Sequence, residues 1–582
     1  MNEPLNELIH DVLIVGGGLA GCRAALEIAR QNPKLSIGLV AKTHPIRSHS
    51  VAAQGGMAAV LNNVDPEDTW QAHAFDTVKG SDYLADQDAV AILTQEAPEV
   101  VVDLERLGVL FSRLEDGRVA QRAFGGHSHR RTCYAADKTG HAILHELVMN
   151  LKRMGVTLYE EWYVMRLIVE EGEAKGLVMF NLRDSQPVLA RARAVMLATG
   201  GYGRAFNTTS NDYASTGDGL AMAARAGIPL EDMEFVQFHP TGLYPVGVLV
   251  SEAVRGEGAY LRNAAGDRFM ADYAPSRMEL APRDITSRAI VKELLAGRGI
   301  HLDGSAGGPF VHLDLRHLGE ATIMSRVPFC WEEAHRLLGV NAVEEPIPVR
   351  PTIHYSMGGI PTDVNGRVRS SSAGFVEACF AAGEAACVSV HGANRLGSNS
   401  LLECIVFGRR TGRAIAQYLD SGRKLPSLDG SRYLAEARAQ IQALLEHSGP
   451  ERIAQVRQEF QDTMTQYCGV FRTADLMQTG LEKLREIAQR IENTRLDDRG
   501  TCWNTELIEA LELRSLFTVG QTILTAAERR QESRGAHCRE DYPDRNDQDY
   551  LKHTLAYWSP SGIDLQYMPV TLGLFEPQAR NY

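Results

Sequence analysis

The clearest signal in the chain is a run of four apolar residues, Val12-Leu13-Ile14-Val15, that meets Gly16-Gly17-Gly18-Leu19-Ala20-Gly21 and continues as CRAALEIAR. A short, continuous apolar run bounded by glycine predicts a strand buried on both faces, and the alanine-rich stretch after it predicts a helix. Three further runs have the same character. Ile37 to Ala41 ends at Lys42, Ala194 to Ala198 ends at Thr199-Gly200-Gly201, and Ala378 to Ala382 ends at Gly383-Glu384. Between about residues 430 and 530 the period changes to that of a helix. Ile453, Val456, Phe460 and Met464 mark one stripe, and Met477, Leu481, Leu484, Ala488 and Ile491 mark another, which together predict an antiparallel helical bundle with these stripes as its core. No window approaches the ~18–20 uninterrupted apolar residues of a membrane helix.

Strand, GxGxxG and helix in that order form a dinucleotide-binding fingerprint in its proper context. Gly16 permits the tight turn, Gly18 lets backbone approach a pyrophosphate, and Gly21 allows close packing of strand and helix. The helix start then offers free N–H groups to the phosphates. Lys42 stands where an NAD-type fold places an acid for the ribose, which favours FAD. Glu384, a carboxylate at a strand end beside a glycine turn, can accept hydrogen bonds from ribityl hydroxyls. The fold class expected is α/β: a Rossmann-like FAD-binding domain with an inserted capping domain, then a helical bundle domain and a small C-terminal domain. The boundaries read from the sequence are 1–240 plus 352–420 for the discontinuous FAD-binding domain and 241–351 for the capping domain, or substrate lid. The helical domain spans 421–535 and the C-terminal domain 536–582. The insertion holds a loop-like stretch, DGSAGGP (303–309), and a proline-rich return, EEPIPVRPT (344–352).

Composition narrows the function classes. At 582 residues, 44% hydrophobic and 23% charged, the chain is an ordinary globular one with room for about three or four domains. A net charge of −13 repels polyanions, so no nucleic-acid partner is expected. Nine cysteines include no CxxC pair, which argues against a disulfide framework and against a zinc or iron–sulfur site within the chain. No metal is expected, and a reducing compartment fits. The opening MNEPLNELIHD places acidic residues before a short apolar run and lacks the basic flank of a signal peptide.

Reactive side chains cluster among glycines in a way no packed core requires. The segments are RSHSVAAQGG (47–56), QFHPTG (237–242), SEAVRGEG (251–258), PRD (282–284), HYSMGG (354–359) and HGANRLGSNS (391–400). Together they supply several cations to one cleft of an acidic protein. Such a cleft suits a small anion with more than one carboxylate, because guanidinium binds carboxylate bidentately. Beside a flavin, that points to hydride transfer to or from the acid.

With EFVQFHPTG, ELAPRD, HYSMGGI, HGANRLGSNSLLE, RQESRGAHCREDYPDRND (530–547) and PVTLGLFEP (569–577), these motifs resemble the flavoprotein subunits of the succinate dehydrogenase/fumarate reductase (complex II) family over essentially the whole length. The resemblance implies oxidation of succinate to fumarate, or the reverse as the physiological direction. It makes His49 the residue joined covalently to FAD as an 8α-histidyl flavin. It makes Gly16, Gly17, Gly18, Leu19, Ala20, Gly21, Ala41, Lys42, Ser48, Gln54, Gly55, Gly56, Asp218, Glu384, Ser400 and Leu401 cofactor contacts. His239, Ser251, His354 and Arg395 match the groups that hold the two carboxylates, with Ser251 where the family usually has threonine. Arg283 matches the arginine that exchanges a proton with the substrate, and Glu252 and Arg255 match its relay. Free guanidinium is too basic for general-base work, so Arg283 requires a desolvated site among other cations. The resemblance also implies an iron–sulfur subunit and membrane-anchor subunits with quinone. They would hold the chain peripherally on the cytoplasmic face of the inner or plasma membrane. L-aspartate oxidases share the GANRL and SNSLLE segments but lack a histidine at the position of His49. Single-chain fumarate reductases usually carry CxxCH or a flavin-transfer domain, absent here. Gln54 is of the type met in succinate dehydrogenases.

Overall fold

The computed structural model describes residues 7–301 and 308–581, so most of the 303–309 stretch lies outside the described residues. Glu7–Val15 is the middle of a parallel core, flanked by Ile37–Ala41 on one side and Pro187–Leu197 on the other. Thr157–Glu160 continues the parallel order beyond Ile37–Ala41, and Phe375–Ala381 continues it beyond Pro187–Leu197. The strands Trp162–Glu170, Glu173–Asn181 and Arg367–Arg369 add antiparallel members, for eight in all. The strand from Phe375 thus joins parallel neighbours that all end by Leu197.

The apolar runs are continuous because both sheet faces are covered. Successive side chains alternate between faces. Leu13, Val15, Val40, Val195 and Leu197 therefore enter one core, while Val12, Ile14, Leu39, Ala194 and Met196 enter another. The second core is closed by the helices Leu19–Gln31, Gln87–Leu107, Thr139–Arg153 and Asn399–Asp420. The first is continuous with the helices Ile453–Tyr467, Ala474–Glu492 and Thr505–Arg529. Each large aliphatic side chain so buried contributes about 1.5–3 kcal/mol.

The first helical stripe, Ile453, Val456, Phe460 and Met464, is buried throughout. The second needs correction. The buried line of Ala474–Glu492 is Met477, Gly480, Leu484, Ile487 and Ile491, with Leu481 only partly buried at its flank and Ala488 outside it. Gly480 gave no apolar signal, yet it is where the helix approaches Tyr467 and Leu524: a Cβ there would lie 2.6 Å from the Tyr467 side chain.

The chain enters its insertion along Val236–Leu243 and leaves along Ile347–Ser356, and these two strands pair antiparallel. The boundaries read at 240/241 and 351/352 fall inside them. Val311–Asp314 and Tyr260–Arg262 extend this second sheet, which carries its own core of Leu261, Val311, Leu313, Ile347 and Val349. The proline-rich return is therefore a strand. Pro348, which lacks an N–H, still accepts at its carbonyl from Tyr244 N–H at 3.0 Å. Near the C-terminus Lys552–Ser559 and Gly562–Pro569 form a hairpin, the first strand of which also pairs with Leu230–Glu231. Among the described residues no helix is long and apolar enough to cross a membrane.

Candidate active site

A cavity of about 640 Å³ runs from the ends of the Glu7–Val15, Ile37–Ala41 and Phe375–Ala381 strands to the paired strands of the insertion. Ligands of open parallel sheets lie outside the strand carboxyl ends, as this cavity does. All the site residues expected from the sequence line it except Gly21 and Arg255. Gly21 acts in packing, since a Cβ there would sit 2.1 Å from the Gly16 carbonyl oxygen.

The nucleotide end has the features an FAD requires. Gly16 adopts φ +118°, and a Cβ on it would fall 2.0 Å from the Ala198 carbonyl oxygen. The helix from Leu19 has no side-chain cap, so its first N–H groups and positive dipole end face the cavity, with Leu19 N–H 3.3 Å from Ser50 Oγ. Ser48 Oγ and Thr199 Oγ1 line the cavity as buried hydroxyls without a partner among the described residues. Glu384, read from the sequence as the last residue of its strand, lies instead on the turn Gly383–Ala385, because the strand stops at Ala381. There it accepts Ser356 N–H at 3.0 Å, and burial pushes its carboxyl up to about 7. Lys42 and Asp218 face each other: Lys42 Nζ donates to Asp218 at 2.8 Å, to Thr216 Oγ1 at 2.8 Å and to Glu512 at 2.6 Å. Burial opposes the Lys42 charge, but Asp218 and Glu512 more than offset it and hold its pKa above the ordinary value.

His49 lies on the turn His49–Ala52 in the cavity wall. Asn211 Nδ2 and Asp212 N–H each approach its ring at 3.4 Å, and burial lowers its pKa, leaving the ring neutral. Gln54 Nε2 donates to Glu333 at 3.0 Å, while its Oε1 is buried without a partner. Glu333 belongs to the Pro328–Leu338 helix of the insertion, and burial raises its carboxyl to about 7.

At the other end the paired strands bring His239 and His354 together, ring centroids 5.1 Å apart. Burial, reinforced by Arg283, holds both imidazoles well below their usual pKa. His239 Nδ1 accepts from Thr241 N–H at 3.3 Å, so in the neutral ring Nε2 carries the proton; that Nε2 is buried and has no partner among the described residues. His354 Nδ1 pairs with Ser210 Oγ at 2.9 Å. Ser251 caps the Glu252–Gly256 helix by accepting Ala253 N–H at 3.2 Å, which leaves its own proton to donate. Arg395 is 2% exposed and lies 4.5 Å over the Tyr355 ring. One nitrogen donates to Ser400 Oγ at 3.1 Å, whereas Nε and Nη2 are buried without partners among the described residues. Burial and the nearby Arg283 push this guanidinium down to about 9.

Arg283 opens the Arg283–Leu295 helix and is 6% exposed. Its Nε donates to Glu252 at 2.8 Å and its Nη1 to Gln237 Oε1 at 3.0 Å. The other oxygen of Glu252 is 3.9 Å from Arg255 Nη2, one turn along the same helix. Arg255 in turn donates to the Glu279 carbonyl, and the Glu279 carboxylate is held by Arg268, whose side chain is 38% exposed. Gly125 makes room for this array, because a Cβ there would meet Glu252 Oε1 at 1.8 Å. Gln237 and Tyr355 lay within quoted motifs without an assigned role; Glu333 and Glu512 carried no motif signal.

The chain matches a family model described as FAD binding domain over residues 11–401 and another described as fumarate reductase flavoprotein C-term over 457–582. It is 44% identical to the succinate dehydrogenase flavoprotein subunit of Rickettsia conorii, covering 98% of this chain and 97% of that one. It is 43% identical to the fumarate reductase flavoprotein subunit of Mycobacterium tuberculosis, with 98% and 99% covered. Among solved structures it superposes on FrdA of E. coli quinol fumarate reductase with a TM-score of 0.94, at 39% identity and 99% coverage of both chains.

Proposed function

The chain belongs to the flavoprotein subunits of the succinate dehydrogenase/fumarate reductase family, and from that membership we propose how its residues divide the reaction. It interconverts succinate and fumarate through FAD and passes the electrons onward. Bound FAD supplies the two-electron hydride acceptor and donor. His239, Ser251, His354 and Arg395 hold the two carboxylates. What carries this reading is the set of buried donors without partners at one end of the cavity, His239 Nε2 with Arg395 Nε and Nη2. Such donors are costly in an empty protein interior and are satisfied by an anion.

Arg283 takes a proton from the succinate carbon next to the one that loses hydride, and returns it in the reverse direction. Its burial, its cationic neighbours Arg395 and Arg255, and its bond to Glu252 support that role. The proton continues through Glu252 to Arg255, whose Nη2 lies 3.9 Å from the Glu252 carboxylate. His49, a neutral imidazole in the cavity wall, carries the flavin through the 8α-histidyl bond.

The electrons leave to an iron–sulfur subunit and then to quinone in membrane-anchor subunits, which hold the chain peripherally on the cytoplasmic face of the membrane. The nine cysteines include no CxxC pair, the close spacing a cluster site of this chain would use, which supports clusters in a separate chain. The isolated chain then reduces small dyes with succinate but not quinone; efficient quinone reduction would overturn the assignment. Gln54 favours succinate oxidation as the physiological direction, with fumarate reduction the second reading on the similarity to fumarate reductases. The test of the chemistry is Arg283→Lys in dye-coupled turnover. Lysine keeps the charge but loses the planar fork, so turnover falls about 10²–10⁴-fold, while malonate, a non-reacting dicarboxylate, still binds. Near-normal turnover would remove Arg283 from the mechanism.

A further inference from the structure

We propose that Arg580, near the end of the chain, is a positioning residue for the proton transfer, clamping Asp284 and through it the guanidinium of Arg283. The inference rests on the reading of Arg283 given above.

Residues beyond the Gly562–Pro569 strand run as a strap back toward the active site. Gln87 pins it with three bonds: Oε1 accepts Leu574 N–H at 2.6 Å and Phe575 N–H at 2.8 Å, and Nε2 donates to the Phe575 carbonyl at 2.7 Å. Farther along, Arg545 donates to the Gln578 carbonyl at 2.9 Å and Lys79 to the Asn581 carbonyl at 3.0 Å. Between those two points Arg580 turns inward, its side chain 8% exposed, onto Asp284, whose side chain is 1% exposed.

Asp284 follows Arg283 directly in the first turn of its helix. Four donors meet its carboxylate. Arg288 gives to Oδ2 at 3.1 Å and Asn394 to Oδ1 at 3.2 Å, whereas Arg580 spans both oxygens, Nη1 to Oδ2 at 2.9 Å and Nη2 to Oδ1 at 3.2 Å. A planar fork that spans both oxygens fixes the plane of a carboxylate more tightly than separate single donors do. The plane matters because Oδ1 begins a closed ring of bonds. Asn394 Oδ1 accepts Gln237 Nε2 at 2.9 Å, and Gln237 Oε1 accepts Arg283 Nη1 at 3.0 Å. Gln237 also donates to the Arg395 carbonyl at 2.7 Å. Arg580 thus sets Asp284, Asp284 orients Asn394, and the two amides leave Gln237 a single way to present its oxygen to Arg283. Asp82 accepts from Arg580 at 3.2 Å and from Arg545 at 2.9 Å, which locks the strap from its outer side.

Arg580→Gln tests this in the assembled, flavin-bound enzyme. Misplacement of a reacting group by about 1 Å costs up to about a hundredfold in rate. We therefore expect dye-coupled turnover with succinate to fall about tenfold to a hundredfold, with malonate affinity within about threefold of wild type. A merely structural loss would lower both together. Turnover within about twofold of wild type, or parallel loss of turnover and malonate affinity, overturns the proposal. Should Arg580→Gln fail to accumulate as flavin-bound protein, Arg580→Lys decides. It keeps the charge opposite Asp284 and Asp82 but not the two-point contact, so severalfold lower turnover at wild-type malonate affinity supports the clamp and unchanged turnover refutes it. Arg283→Lys in the same assay separates the two readings. An active Arg283→Lys removes the premise; an inactive one beside a normal Arg580→Gln removes only the clamp.

Discussion

Arg395→Gln is the perturbation that most directly examines how the dicarboxylate is held. The unpartnered Nε and Nη2 of Arg395 form one edge of its guanidinium, the fork that receives a carboxylate through two parallel bonds. Each charge-assisted bond contributes about 1.5–3 kcal/mol, so the edge contributes about 3–6 kcal/mol to anion binding. Two effects reduce the observed loss. The Gln amide restores one neutral bond of about 0.5–1.5 kcal/mol, and removing Arg395 relieves its repulsion with Arg283, which helps to push its pKa down to about 9. The net loss is about 2–4 kcal/mol, or roughly thirtyfold to a thousandfold in malonate affinity at about 1.4 kcal/mol per decade. The assay is titration of the flavin absorbance with malonate, run beside thermal unfolding to confirm that the variant is folded. Turnover falls with affinity, in contrast to Arg283→Lys, where binding persists. Malonate binding within about threefold of wild type would show that the fork does not face the substrate, and the reasoning from its unpartnered edge would fail.

Two further outcomes follow from the cavity. Acid precipitation of the wild type should retain flavin on the denatured chain, and His49→Ser should release it while still binding FAD in the native state and reducing fumarate better than it oxidises succinate; flavin freed from the wild type would refute the covalent link. Glu333, with its carboxyl raised by burial to about 7 against an unfolded value of 4.5, binds its proton more tightly folded than unfolded. Its contribution to stability is therefore full below about pH 4.5 and lost as pH rises through 7, by about 1–3 kcal/mol. Glu333→Gln should accordingly narrow the difference in unfolding temperature between pH 5 and 8 (roughly the span of that titration), and an unchanged difference would show that Glu333 ionises as freely in the fold as outside it.

Much of the fold was legible because burial on two faces leaves a mark that spacing alone reveals. Val12 to Val15, Ile37 to Ala41 and Ala194 to Ala198 are continuous apolar runs, and each side of each run enters a different core. The helical region was legible where the buried line consisted of large apolar residues, as from Ile453 to Met464. It misled where a glycine carried the contact: Gly480 belongs to the buried line and Leu481 to its edge. The candidate site was legible for a related reason. Charged side chains set among glycines do not arise from packing, and of those segments His49, His239, Glu252, Arg283, His354 and Arg395 line one cavity, though Arg255 does not.

What the sequence concealed is the set of residues whose task is to hold another residue still. Lys42 ends a predicted strand, but the Glu512 that fixes its charge lies 470 positions away in a helix where an acid is unremarked. Gln237 and Asn394 are neutral amides, common on any surface, and acquire meaning only when the fold sets them 2.9 Å apart between two arginines. Arg580 carries no spacing signal at all, since the residues around it form no periodic element. Chemistry at this site is supplied by residue type and so survives in a list of letters. Aim is supplied by hydrogen bonds across long separations, and at Arg283 aim is the scarcer quantity: a guanidinium that must exchange a proton with one carbon can do so from few orientations. The bonds that select the orientation come from Glu252, 31 positions upstream, and Gln237, 46 upstream, and through Asp284 from Arg580, 296 positions farther along the chain than that aspartate. Motif reading reaches Glu252, which shares a glycine-rich segment with Ser251, and passes over Gln237 without giving it a role. Arg580 becomes visible only when the strap beyond Pro569 is seen to set its guanidinium against Asp284 of the catalytic helix.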